Sequence, residues 1–170
     1  MTAVDVRAAT AADAATVVAM LDEGALWMIA RGIEQWRPGM FPLAMIERRI
    51  AQREVFIARS GDEVVGSVAL HHDDPIVWGD TPPVAFYVHN LVVRRRWGGN
   101  GIGRELLAWA ERDTAVRSRP LLRLDCVAKN ETLCGYYARA GFSERGDVAA
   151  YGLTLRRWEK AVGDLPSHQR

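Results

Sequence analysis

Apolar and polar positions alternate at Val4-Asp5-Val6-Arg7, which predicts a short opening strand. Thr10 lies three residues before Asp13, the spacing of a capping box. Val17, Val18, Leu21, Ala25 and Met28 then recur at helical spacing, so residues 14–29 read as a helix that Gly32 ends. Residues 32–42 carry Pro38, Pro42, Gly32 and Gly39 beside Trp36 and Phe41, a pattern for an irregular segment that packs against something. A second helix is expected over 43–53, with Ile46 and Ile50 on one side. The period then shortens to that of strands. Two apolar runs, 55–58 and 64–70, flank Ser60-Gly61-Asp62 and predict a hairpin. Residues 71–83 read as a polar connection. Residues 84–93 are apolar on both faces except at His89 and Asn90, the pattern of a central strand.

The second half continues in the same manner. A glycine-rich stretch over 98–103 opens a helix over 104–117, whose buried stripe is Ile102, Leu106, Trp109 and Ala110. Leu122, Leu124 and Cys126 alternate with Arg123 and Asp125 in the next strand. Residues 130–140 form a short helix with Leu133, Tyr136, Tyr137 and Ala140 inward, capped by Gly141-Phe142. Residues 149–158 give a last strand, and the polar tail 163–170 is expected to fray. The order is β-α-α-β-β-β-α-β-α-β-β. Its natural packing is an α/β fold with a mixed sheet covered by helices on both faces. No repeat or linker divides it, so residues 1–170 are read as one domain with its core over about 2–158.

Composition narrows the partners. Lys and Arg total 22 against 21 Asp and Glu, a net charge of +1. No strong field is available to drive binding to nucleic acid or to a membrane surface, so neither partner is expected. Two cysteines make no disulfide framework and read as the reduced thiols of a cytoplasmic protein. No apolar signal region opens the chain, and no apolar run approaches the ~18 residues of a membrane span.

The chemistry concentrates in Arg94-Arg95-Arg96-Trp97-Gly98-Gly99-Asn100-Gly101-Ile102-Gly103, where a strand runs through a glycine-rich loop into a helix. Glycines let backbone N–H groups converge on an anion, and a helix N-terminus adds its dipole, so a phosphate site is expected. The bland alternative is a turn needing positive φ. The dinucleotide fingerprint fails, because the residues three after Gly101 and Gly103 are Arg104 and Leu106. The ATP-type loop fails too, because Gly98 leads to Gly103-Arg104-Glu105 without the lysine and hydroxyl.

Leu91-Val92-Val93, the Gly101-x-Gly103 turn and the following Leu106-Leu107 resemble the acetyl-CoA-binding motif of the GNAT superfamily of N-acetyltransferases. A second block, Asn130 through Tyr137 to Gly141-Phe142, is similar to the family's downstream motif. The resemblance implies that the fourth strand splays from the fifth, with the acetyl-pantetheine arm of acetyl-CoA pairing with Leu91, Val92 and Val93. It implies a pyrophosphate on the amides of Gly98, Gly99, Asn100, Gly101, Ile102, Gly103 and Arg104. Asn130 would contact the pantetheine arm or hold the next helix, and Tyr137 would protonate the departing thiolate. The family usually has Gln or Arg where this chain has Gly98, so one side-chain contact is missing. Arg96 or Arg104 is the expected replacement, and Gly98→Arg is expected to tighten binding. The same resemblance makes Trp27, Gln35, Trp36 and Phe41 a wall of the acceptor pocket, and ordinary core packing is the competing reading.

Other candidates are weaker. His89 is the candidate general base, as a titratable group two residues before Leu91 and so on the same nominal face. A satisfied core histidine or a water chain is the alternative. His71-His72-Asp73-Asp74 is not expected to bind a metal, because adjacent histidines on a strand point to opposite faces. The acceptor is a small-molecule or peptide amine that the sequence does not specify. The lack of an acidic cluster near the pocket wall weighs against a polycation. The family is often dimeric, and no decisive interface is visible here. A non-catalytic acyl-CoA sensor of the same fold and an unrelated nucleotide-phosphate enzyme are the rival readings.

Overall fold

The structure is a computed structural model that describes residues 4–163. Most of the predicted tail therefore lies outside the described residues. Seven strands, β1 (Asp5–Ala8), β2 (Val55–Ser60), β3 (Glu63–His71), β4 (Ala85–Val93), β5 (Leu121–Val127), β6 (Ser143–Ala150) and β7 (Leu153–Ala161), form one sheet in the order β1-β2-β3-β4-β5-β7-β6. The helices are α1 (Ala14–Ile29), α2 (Leu43–Ala51), a single turn α3 (Pro75–Trp78), α4 (Ile102–Val116) and α5 (Glu131–Arg139). The sheet is mixed: β1/β2, β2/β3, β5/β7 and β6/β7 are antiparallel, and β4/β5 is parallel. The chain divides into two compact units, one of residues up to Leu70 with His89–Leu107, the other of His71–Val88 with the chain from Ala108 onward.

In the first unit, α1 begins where the sequence indicates. The Asp13 carboxylate accepts from the Thr10 N–H at 2.8 Å and its hydroxyl at 2.9 Å, and Arg7 pairs with it at 3.1 Å. Met20, Leu21, Ala25, Ile46 and Ile57 build one buried core with Trp36 and Phe41, whose rings meet edge to face at 5.5 Å. The irregular segment thus packs, as its aromatic content requires. A Cβ at Gly66 on β3 would lie 3.0 Å from the Leu106 side chain and 3.1 Å from the Val92 carbonyl. Only glycine lets the start of α4 come this close to the strand.

In the second unit, the parallel ladder covers Ala85↔Leu121, Phe86↔Leu122 and Tyr87↔Arg123 and then stops, although β4 runs on to Val93 and β5 to Val127. The polar connection hides α3, whose start is marked by Asp74, accepting from the Val77 N–H at 3.3 Å, and by Pro75 in the first turn. The last predicted strand, 149–158, spans a turn: Tyr151 and Gly152 have φ of 54° and 72° and join β6 to β7.

Candidate functional site

The strand-to-helix segment belongs to the first unit and is tied down along its length. Asn90 takes a left-handed φ of 52° inside β4. That conformation interrupts the alternation between His89 and Leu91, so the expected shared face does not carry across it. After the strand, the Arg94 N–H bonds to the Val65 carbonyl at 2.9 Å, and Arg94 Nε to the Val64 carbonyl at 2.8 Å. Arg95 to Trp97 form a single 3-10 turn. The Arg95 N–H donates to Glu23 Oε2 at 3.1 Å. Glu63 Oε1 accepts from Arg96 Nε and from Trp97 Nε1, each at 3.0 Å, and Arg96 holds the Glu63 carboxyl below its usual range. Of the two arginines expected to replace the side chain missing at Gly98, Arg96 is thus already engaged by a carboxylate.

Gly99 and Gly101 have φ of 80° and 81°, a backbone shape that L side chains rarely adopt. Gly98, with φ of −58°, does not need glycine for its dihedral angles, and Gly103 lies inside the first turn of α4. The positive-φ argument therefore applies to Gly99 and Gly101. α4 is a 15-residue helix. The N–H groups of its first turn have no acceptor within the helix, and they carry the positive end of its dipole. A glycine-shaped loop that delivers the chain to such a turn can hold a phosphate.

Tyr137 and Asn130 lie in the second unit. Asn130 Oδ1 accepts from the Leu133 N–H at 3.1 Å and so caps α5. Of the two roles expected for Asn130, holding the helix is the one visible. Tyr137 is buried on α5, with its ring edge-on to Tyr136 at 5.5 Å and Phe142 at 6.1 Å. Burial, with Cys126 and Tyr136 nearby, pushes its phenol far above the ordinary tyrosine range. The phenol is therefore protonated at physiological pH. Cys126 and Cys134 are both buried and reduced, with sulfurs 3.6 Å apart, and burial pushes the Cys126 thiol up to about 12.

The acceptor-wall candidates separate. Trp36 and Phe41 belong to the core. Gln35 is half-buried. Trp27 is half-buried, with the guanidinium carbons of Arg31 and Arg95 at 4.2 and 4.0 Å from its ring centroid. In the His71 to Asp74 run, the His72 ring packs edge-on against Phe86 at 5.1 Å, and Asp74 caps α3.

Two features of the second unit carry little sequence signal. Arg123 donates to Glu159 at 2.8 Å and to the Tyr87 hydroxyl at 3.1 Å, joining three strands. Asp74 and Asp125 bring carboxylate oxygens within 4.8 Å of one another. These acids are 51 residues apart in the chain, so only the fold reveals the pair.

Residues 21–142 match the acetyltransferase (GNAT) family. An uncharacterised N-acetyltransferase of Bacillus subtilis, YesJ, is 32% identical over 150 residues, which is 83% of each chain. A GNAT-family acetyltransferase from Listeria monocytogenes superposes with a TM-score of 0.79 at 27% identity, over 93% of this chain and 94% of its own. An acetyltransferase from Salmonella typhimurium solved with acetyl-CoA superposes with a TM-score of 0.70 at 16% identity, over 98% of both chains. That last likeness is one of fold.

Proposed function

Because this chain belongs to the GNAT family of N-acetyltransferases, we propose that it moves the acetyl group of acetyl-CoA onto the amine of a small molecule or peptide in the cytoplasm. The observation that carries the reading is the loop at residues 98–104, with left-handed glycines at 99 and 101 leading into the first turn of α4. Those amides hold the pyrophosphate of the donor. The backbone of Leu91, Val92 and Val93 pairs with its pantetheine arm.

In the reaction the neutral amine attacks the thioester carbonyl carbon. The C–N bond forms, negative charge collects on the carbonyl oxygen, and a backbone N–H near Val93 stabilises it. The C–S bond then breaks and the electron pair leaves on sulfur. Tyr137 gives its proton to that thiolate, since a raised phenol pKa keeps the proton available at neutral pH. The ammonium proton of the attacking amine leaves through His89 or through water.

Thermal shift tests donor binding. Acetyl-CoA at about 100 times its Kd adds about 2.7 kcal/mol, which raises Tm by roughly 5–10 °C for a chain of this size. ATP and NAD should shift it little. No shift by millimolar acetyl-CoA contradicts the reading.

A further inference from the structure

Gly98 poses a question that its dihedral angles do not answer. Its φ of −58° and ψ of 144° suit any residue. The reason for glycine lies in what fills the adjoining space. A Cβ at Gly98 would sit 3.3 Å from Nη2 of Arg95 and 3.1 Å from the Arg95 carbonyl oxygen. The missing side chain thus leaves room that the Arg95 guanidinium enters.

The same guanidinium lies 4.0 Å from the centroid of the Trp27 ring, which also carries Arg31 at 4.2 Å. An arginine stacked on an aromatic face uses the face of its planar group and leaves the N–H edge open for two parallel bonds. Its neighbours are committed otherwise: Arg94 donates to the Val64 carbonyl at 2.8 Å, and Arg96 to Glu63 at 3.0 Å. Among the described residues, Arg95 alone of the three-arginine run has its guanidinium on an indole, beside the first glycine of the loop.

We propose that Arg95, shelved on Trp27 and admitted by Gly98, is the charged side-chain contact to the diphosphate of the acyl-CoA donor. The inference rests on the acetyl-CoA reading above and assigns to it a residue the loop pattern does not single out. It also gives Trp27 a role as the shelf of this arginine. It reverses the expectation for Gly98→Arg: a side chain at 98 meets the Arg95 guanidinium and displaces it, so the single variant gains no affinity.

The test is calorimetric titration with acetyl-CoA and, separately, with S-acetyl-pantetheine, which has the same thioester arm and no diphosphate. Arg95→Ala should weaken acetyl-CoA binding about 10- to 100-fold, as loss of a charge-assisted bidentate contact does, and leave S-acetyl-pantetheine within twofold of wild type. Arg95→Lys should fall between, because an ammonium keeps the charge without the planar fork. Trp27→Ala should follow Arg95→Ala. The double variant Arg95→Ala/Gly98→Arg should recover most of the lost affinity, because the space is vacated for the new guanidinium. Acetyl-CoA affinity within twofold of wild type in Arg95→Ala would overturn the proposal. So would an equal loss for both ligands, which marks a structural effect. Wild-type protein that binds S-acetyl-pantetheine or neither ligand, but not acetyl-CoA in preference, would instead overturn the acetyl-CoA reading, and the assignment of Arg95 with it.

Discussion

Tyr137 is held in its acid form by where it sits. Tyr137→Phe removes one oxygen and keeps the ring against Tyr136 and Phe142. We expect kcat to fall roughly 10²–10⁴-fold, with little change in the KM for acetyl-CoA and a Tm near wild type, because the contact acts in the transition state. A loss below about threefold would take Tyr137 out of the mechanism. The pH dependence has a definite sign. The folded pKa is raised, so the acid stays loaded beyond the ordinary value of about 10, and kcat should show no fall between about pH 8 and 10 from its ionisation. The stability that this burial contributes is fully present below about pH 10 and is lost as pH rises above it, so Tyr137→Phe should flatten the alkaline decline of Tm. The burial of Tyr137 was legible in the helical stripe that contains it. The chemical separation of Arg94, Arg95 and Arg96 was not. Three adjacent arginines look alike in sequence, and only the positions of Val64, Trp27 and Glu63 tell them apart.

Elements were legible where the apolar period was strong. α1 spans the residues its periodicity indicates, and its start is fixed by Asp13. Burial works against the Asp13 carboxylate, but the Thr10 N–H and Arg7 outweigh it and hold the pKa below the usual range. Its contribution is therefore present above the unfolded value of about 3.9 and lost as pH falls through the lower folded value. Asp13→Ala should cost about 1 kcal/mol at pH 7, and the difference should vanish in strong acid, as read by denaturant melts. β6 was illegible for the opposite reason. Ser143 to Asp147 are all exposed, and its register with β7 shifts between Glu144 and Asp147, so no alternation marks the strand. α3 has only four residues, too short for a period, and only the Asp74-Pro75 pair betrays it. Gly66 supplies an element-scale test. Gly66→Ala sets a Cβ against the Val92 carbonyl and the Leu106 side chain, and backbone at 3.1 Å yields less readily than a side chain. The cost should be about 1–3 kcal/mol, and a Tm within a degree of wild type would mean that α4 shifts freely.

At the scale of the molecule, the element order and the two motifs led to the mixed sheet and to the family that residues 21–142 match. Among the described residues no helix is long and apolar enough to cross a membrane. The Asp74–Asp125 pair and the Arg123–Glu159–Tyr87 network were beyond the sequence, because each joins residues far apart in the chain. The acceptor was equally beyond it, since amine recognition depends on which side chains the fold brings together. The central claim is acetyl transfer from acetyl-CoA to an amine, and the most direct measurement follows both products at once. Wild-type protein is given acetyl-CoA and a metabolite extract, free CoA thiol is recorded continuously, and acetylated amines are counted by mass spectrometry. The account predicts thiol release that depends on the extract and equals the acetylated amine formed, with the rate at least 100-fold lower in Tyr137→Phe. Tight acetyl-CoA binding with no extract-dependent thiol release would contradict it and would identify the chain as an acyl-CoA-binding domain without turnover.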